Sequence, residues 1–278
     1  MASERNGQFV LSLLPVAGAM LAVPRLSDVR HDSRRMRDMM RNLAYSEANV
    51  AEGRWWTQFT FAFVHRDETH LGSNLLTLVP FAYAVHAAFG CAWVPIFLGG
   101  SFFGAQDAAG KRLQAARRIS EPLSLRDWAP KPAADAVDKV TRRVATWLAP
   151  SVTRSMTYVG ASAGVWALQG TAVCLSLEQL IALCSTASYD ELNRTTVAAH
   201  LWSIFAVTSE YVVALQKIAT GSSDGIDHAG HVDGFVFGIG VFALLRFAQA
   251  VGRRRRRLPL VRGGVLLSPA VARQLERR

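Results

Sequence analysis

The sequence contains few cysteines and few acidic residues. Its three cysteines, Cys91, Cys174 and Cys184, lie in or at the ends of apolar runs and lack the spacing of a disulfide framework or a metal site. We therefore expect them to be packing residues. His228 and His231 are three residues apart, but no third ligand follows at a suitable spacing and there is no His-Glu-x-x-His motif. No metal or other cofactor is expected.

Acidic residues number 21 against 31 Lys and Arg, which gives a net charge of +10. The basic excess lies between and after the apolar runs, with ten Lys or Arg in residues 107–154 and five consecutive arginines at Arg253–Arg257. Basic segments beside apolar spans typically contact anionic lipid headgroups. We expect membrane lipids as partners, no nucleic acid, and a tail on the cytoplasmic or equivalent side.

Apolar residues are abundant, at 50% of the chain. They form six runs close to the ~20 residues that cross a bilayer as a helix. Because backbone groups in lipid must bond within the protein, such runs predict helices. The fold class is therefore an all-α polytopic membrane protein with six transmembrane helices, at about 9–24, 70–88, 91–106, 158–178, 197–217 and 230–250. We expect the first run to be a retained anchor and not a cleaved signal peptide.

We predict a membrane domain over residues 1–252 and a basic C-terminal tail over 253–278. The membrane domain includes a basic insert at about 107–154, where helical spacing of apolar residues over 137–148 predicts a membrane-surface helix. In the long first connection, residues 25–69, Met36, Met39, Met40 and Leu43 share one helical face with arginines opposite. This pattern predicts an amphipathic helix at the membrane interface, with a solvated loop helix as the alternative.

Two glycine-rich segments carry the residues of chemical interest. Ser162 lies within Gly160-Ala161-Ser162-Ala163-Gly164 at the head of the fourth run, and His231 opens the sixth. Acyl transfer by serine needs a nucleophile, a base and donors for the oxyanion. Ser162 and His231 are candidates for the first two, and His70 and Asn74, four apart on one helical face, are candidate donors.

The glycines predict how Ser162 and His231 meet. Gly160 and Gly164 form one small-xxx-small pair, and Gly230, Gly234 and Gly238 form two overlapping ones. Small faces allow membrane helices to approach closely. We expect these helices to pack together and to carry the serine and the histidine into hydrogen-bond range.

Four blocks of this sequence, taken in order, resemble the rhomboid family of intramembrane serine proteases. They are Gly53-Arg54-Trp55-Trp56-Thr57-Gln58-Phe59-Thr60, His65-Arg66-Asp67-Glu68-Thr69-His70-Leu71-Gly72-Ser73-Asn74, Gly160 to Gly164, and His231 to Gly238. Four residues depart from the family pattern: Ala163 replaces a glycine, Thr57 an arginine, His86 an acid and Asp233 a small residue. For Asp233 we weigh a role in tuning or hydrating the site against a side chain facing water or lipid headgroups.

The resemblance implies a dyad of Ser162 and His231 with no acidic third member. It implies an oxyanion hole made by His70, Asn74 and the Ser162 amide, with Gly160 as a supporting residue. Trp166 matches the position of an aromatic residue that packs on the histidine. The resemblance further implies that the first connection lies half-sunk in the membrane and that movement of the fifth span admits a substrate helix.

The expected function is an intramembrane serine endopeptidase that cleaves single-pass transmembrane proteins. One alternative is a catalytically impaired rhomboid-like pseudoprotease that binds or escorts membrane clients. A weaker alternative is a transporter built around Glu210 and His200, although a local hydrogen bond or a gate role for Glu210 is preferred. For the compartment, a secretory-pathway membrane and the mitochondrial inner membrane both stay open.

Overall fold

A computed structural model of the chain describes residues 2–106, 159–186, 194–220, 226–257, 261–262 and 265–266. Residues 1–239 form one compact unit and residues 240–278 another. The first unit contains α1 (Ala2–Ala22), α2 (Leu26–Val29), α3 (Ser33–Asn42), α4 (Glu47–Ala51), α5 (Thr57–Thr60), α6 (Glu68–Phe89), α7 (Trp93–Ala105), α8 (Ser162–Thr186), α9 (Arg194–Thr220) and the start of α10 (His228–Arg257), with 3-10 turns at Phe61–Phe63 and Gly90–Ala92.

Five segments of the described residues are long and apolar enough to cross a membrane: Glu4–Val29, Glu68–Ala105, Ser162–Ser185, Arg194–Ile218 and His228–Val251. They indicate a helical, multi-pass membrane protein. The second segment, of 38 residues, contains both α6 and α7. Gly90, with φ of 61°, ends α6 in a conformation that favours glycine. The count of six separate spans stays a prediction.

In the first connection, most of the apolar face of α3 packs on the protein itself, and its location at the membrane interface stays a prediction. Asp32 caps this helix by accepting hydrogen bonds from the backbone N–H groups of Arg34 and Arg35. Met36, Met39 and Leu43 then pack in a cluster with Val29 and Val64. The sequence could not predict this packing, because an amphipathic helix presents the same pattern to lipid and to a protein surface.

Backbone hydrogen bonds join the two ends of the first connection and attach it to the residues just before α8. Leu26 N–H donates to the His65 carbonyl at 2.9 Å, and Ser27 N–H donates to that of Arg66 at 2.9 Å. Gly160 N–H donates to the Phe61 carbonyl at 2.9 Å. The segment before Ser162 is therefore held by the first connection as well as by its own helix.

Small residues allow α7, α8 and α10 to pack closely. A methyl group added at Gly164 of α8 would overlap Ser101 and the Phe97 backbone of α7, and one at Gly238 of α10 would overlap the Ala167 carbonyl of α8. Thr171 Oγ1 donates to the Gly238 carbonyl at 3.0 Å. Hydrogen bonds and close backbone packing of this kind hold membrane helices together.

The structure bears differently on the predictions for the cysteines, for the 107–154 insert and for the domain boundary. Cys91 and Cys184 are exposed and only Cys174 is partly buried, so packing was the wrong interpretation for two of the three. The predicted helix in the 107–154 insert lies outside the described residues, and the domain boundary at 252/253 stays a prediction. In the second unit, Val261–Arg262 and Val265–Leu266 pair as two antiparallel strands (β1 and β2), an exception to the helical structure of the other described segments.

Candidate active site

Ser162 and His231 form a direct hydrogen bond. Ser162 is the first residue of α8, His231 lies in the first turn of α10, and the Ser162 Oγ to His231 Nε2 distance is 2.8 Å. The Trp166 ring, one turn along α8, stacks on the imidazole with centroids 5.0 Å apart and planes 14° apart. A hydroxyl that donates to an imidazole nitrogen is poised to lose its proton to that base.

Local hydrogen bonds position His231 at the start of its helix. Asp227 precedes α10, and its Oδ1 accepts a hydrogen bond from Gly230 N–H at 2.9 Å. The Asp227 carbonyl accepts from His231 N–H at 3.1 Å. A side chain at Gly230 would overlap the Asp227 carboxylate, so this glycine leaves room for the cap as well as for the neighbouring helix.

The hydrogen bonding of His70 defines its tautomer. Its Nδ1 accepts a hydrogen bond from Arg66 N–H at 3.3 Å, so in the neutral ring the proton is on Nε2. Asp67 caps α6 by accepting from His70 N–H at 2.8 Å, and this bond, with help from Arg66, holds the pKa of the Asp67 carboxyl below its usual range. His70 therefore presents an N–H donor at its far edge.

Gly160 allows the His70 ring to approach the start of α8. Gly160 has φ of +112°, and a Cβ there would lie 2.6 Å from His70 Cε1 and 2.9 Å from His70 Nε2. Glycine is needed for both the backbone conformation and the space. The Nε2 edge of the His70 ring consequently lies against Gly160, two residues before Ser162 in the chain.

Asn74, one turn after His70 on α6, carries an unused donor. The residue is 5% exposed, and its Nδ2 has no hydrogen-bond partner. Buried donors are paired in most proteins, and an unpaired one is unfavourable until an acceptor arrives. Helix geometry leaves the Ser162 N–H, at the first position of α8, without an intrahelical acceptor.

The substitution at Ala163 lies on the face of α8 that packs against other helices. Ala163 is 6% exposed, and its methyl group lies 2.7 Å from where a Cβ of Gly104 would be. A side chain at Gly234 would overlap the Ala163 carbonyl. The extra methyl at 163 is accommodated because residue 104 is glycine.

A cavity of about 380 Å³ connects these groups. Ser162, His231, His70, Asn74 and Trp166 line it. Gln169, Glu210 and Asp227 line it too, although sequence reasoning did not place Gln169 or Asp227 in a site. The missed Gly100 and Gly104 of α7 form a small-xxx-small pair that the sequence displays, whereas nothing local distinguishes Gln169.

His65 supports His70 from the first connection. The residue is 1% exposed, its Nδ1 donates to the Phe63 carbonyl at 3.2 Å, and its ring lies edge-on to that of His70 at 5.2 Å. Burial, reinforced by the neighbouring His70, lowers the pKa of His65 to about 4. His65 is therefore neutral at physiological pH.

The remaining polar residues have separate surroundings. Asp233 is 2% exposed, so a side chain facing water or lipid headgroups was the wrong interpretation. Glu210 Oε2 of α9 accepts from Gln169 Nε2 of α8 at 3.3 Å, so Glu210 has a hydrogen bond, between two helices, and its gate role stays a prediction. His200 Nδ1 lies 3.4 Å from Ser176 Oγ.

Thr57 and His86, which depart from the family pattern, have polar contacts away from the cavity. Thr57 Oγ1 donates to the Arg54 carbonyl at 2.7 Å. His86 Nε2 lies 3.2 Å from the Arg5 carbonyl. Among the described residues no three His, Cys, Asp or Glu side chains converge as metal ligands.

The described part of the chain is mainly helical and brings a hydrogen-bonded serine and histidine to the edge of a cavity. Comparison with known proteins finds similarity to an uncharacterized mitochondrial rhomboid protein of Schizosaccharomyces pombe, with 37% identity over 76 residues. That region is 27% of this chain and 19% of the relative, so the chain spans less than a fifth of the relative's length. No protein-family model matches. No solved structure matches either. Over the matched 76 residues the chain is similar to that rhomboid protein.

Proposed function

We propose that this chain is a rhomboid-type intramembrane serine endopeptidase that cleaves single-pass transmembrane proteins. The observation that carries the proposal is the 2.8 Å contact between Ser162 Oγ and His231 Nε2 beside a cavity. The partial similarity to a rhomboid protein and the apolar helices support it. In this arrangement α6 and α7 cross the membrane separately, which makes six spans.

The reaction begins when Ser162 Oγ attacks a substrate carbonyl while His231 Nε2 takes the hydroxyl proton. The developing oxyanion accepts hydrogen bonds from His70 Nε2–H, Asn74 Nδ2–H and the Ser162 N–H. His231 returns the proton to the leaving amine, and the acyl-enzyme remains. Water in the cavity then attacks this ester, again with His231 as the base.

Trp166 and Asp227 position the base. The stacked indole limits rotation of the imidazole, and the Asp227 cap fixes the turn that presents His231. The cavity supplies the route by which water reaches a site that the apolar spans otherwise surround.

The test is labelling of purified full-length protein with a serine-reactive fluorophosphonate. We expect wild type to label, and Ser162→Ala and His231→Ala not to label. Cleavage of a transmembrane substrate should fall on the order of a millionfold in either variant. Labelling that persists in Ser162→Ala would overturn the proposal. Folded wild type that neither labels nor cleaves would favour the pseudoprotease that binds or escorts clients.

The description of the relative as mitochondrial extends the proposal to location. Of the two compartments that the sequence left open, a secretory-pathway membrane and the mitochondrial inner membrane, we propose the mitochondrial inner membrane. Fractionation of cells that express the tagged full-length chain tests this, since recovery in secretory membranes would contradict it. We also propose that the basic segments contact anionic lipid headgroups of that membrane.

A further inference from the structure

Two sets of polar groups line different parts of the cavity. Near Ser162, His70 and Asn74 present N–H donors, and Asn74 Nδ2 is unpaired. Gln169, farther along α8, and Glu210 of α9 line the same cavity, and the unpaired atom of Gln169 is its oxygen. The donor set suits the oxyanion of the proposed reaction, and the oxygens are left without a role in it.

Gln169 has an orientation fixed by its neighbour. Its Nε2 donates to the Glu210 carboxylate at 3.3 Å, so the other end of the amide is the carbonyl oxygen. That oxygen, Oε1, has no partner, although the residue is only 3% exposed. A buried acceptor without a donor is unfavourable, and a bound N–H group would relieve it.

The facing wall of the cavity also offers oxygen atoms. Ser73 and Thr77 of α6 line it, and their hydroxyls donate to carbonyls of their own helix, those of His70 at 3.0 Å and Ser73 at 2.9 Å. With their protons committed, both hydroxyls have only lone pairs to offer. A group that binds here must bring donors, and a carboxylate favours a donor with positive charge.

The spacing along α8 sets the distance from the nucleophile. Ser162, Trp166 and Gln169 lie on one helical face at positions i, i+4 and i+7. Seven residues of helix rise about 10 Å, and an extended chain rises about 3.3 Å per residue. Gln169 therefore lies about three extended residues from Ser162, or two when a long side chain covers part of the distance.

We propose that Gln169 and Glu210 form a substrate subsite that binds a basic side chain, Lys or Arg, two to three residues from the scissile bond. The subsite rests on the proposed protease function and specifies its substrate class. Glu210 supplies the charge and Gln169 Oε1 a second acceptor, so an ammonium or guanidinium group satisfies both.

The experiment compares transmembrane substrates that differ at one residue. The full-length protein in liposomes is given substrates in which Lys or Met, of similar length, occupies each of the four positions on either side of the cut. We expect wild type to prefer Lys over Met by about 10- to 100-fold in kcat/KM, the value of a charged hydrogen bond, at a position two or three residues from the cut.

Variants of the subsite and a matched control complete the test. Glu210→Gln and Gln169→Leu should each reduce the preference to a few-fold, and Glu210→Lys should transfer it to a substrate with Glu at that position. Glu178→Gln is the control, because this exposed acid lies on α8 but does not line the cavity. It should keep the full preference for Lys.

Fluorophosphonate labelling of each variant separates the two proposals. If wild type labels and cleaves but favours Lys at no position, or if the preference is unchanged in both Glu210→Gln and Gln169→Leu, the subsite is overturned and the protease function stands. If wild type neither labels nor cleaves, the protease function fails and the subsite fails with it. A variant that labels like wild type is folded, so its selectivity can be interpreted.

Discussion

The α8 and α9 helices are both long and apolar enough to span a membrane, yet they have very different surroundings. In the apolar 18-residue stretch of α8, 50% of residues are buried, against 11% in that of α9. Glycine and alanine let other helices pack onto α8, whereas Leu201, Trp202 and Phe205 of α9 are exposed. The candidate nucleophile belongs to the enclosed helix.

The α9 helix contacts α8 through a few side chains. Val207 packs in a cluster with Val173 and Phe235, and the hydrogen bonds of Glu210 and His200 lie on either side of it. A helix with so few buried contacts separates at lower cost than one packed by backbone contact. This is the element that a substrate helix would displace if the fifth span moves as the resemblance implies.

The largest effect that we expect beyond the dyad concerns Asn74, which lines the cavity from α6. Asn74→Ala removes an unpaired donor beside Ser162, and loss of one oxyanion donor costs about 10²- to 10³-fold in kcat. KM should change little, because the interaction forms mainly in the transition state. Asn42→Ala is the control, since this exposed asparagine ends α3. Equal kcat for Asn74→Ala and wild type would exclude Asn74 from the oxyanion hole.

The second prediction tests whether backbone contact makes α8 the rigid element. Gly238→Ala places a methyl group on the Ala167 carbonyl of α8, so we expect about 3 kcal/mol of destabilisation, the upper part of the usual range for overpacking. A Cβ at Gly240 would meet nothing within 4 Å, and Gly240→Ala should be neutral or slightly stabilising. Thermal unfolding in detergent measures both. Similar melting temperatures for the two variants would contradict the packing argument.

Some of this arrangement was readable from the sequence. Spaced glycines predicted that the helices of Ser162 and His231 would approach, and runs of apolar residues located the helices. Burial of Asp233 was not readable, because a single acid carries no information about which face of its helix will be covered. Gln169 gave no signal either, since its unpaired oxygen exists only once Glu210 takes the amide N–H.

The third prediction concerns His65, which belongs to the first connection that holds the start of α8. Burial lowers the His65 pKa from 6.5 to about 4, so the unfolded chain binds the proton first as pH falls. Stability should be complete above pH 6.5 and decline towards pH 4 by at most about 3 kcal/mol.

Unfolding measured across that window should show a smaller decline for His65→Gln than for wild type. His31→Gln, at an exposed histidine, should keep the wild-type decline. An unchanged pH dependence in His65→Gln would assign the loss of stability to another group.

The smallest effect compares two tryptophans, one on each helix. Trp166 of α8 stacks on His231 at 5.0 Å, and stacking of aromatic rings contributes about 0.5–1.5 kcal/mol. Trp166→Leu should therefore slow fluorophosphonate labelling by roughly 2- to 10-fold through a less well oriented base. Trp202 of α9 is 69% exposed and contacts Phe205, so Trp202→Leu should label at the wild-type rate. If both variants slow labelling equally, α9 contributes to the geometry of the dyad, and the division between an enclosed catalytic helix and a separable outer helix fails.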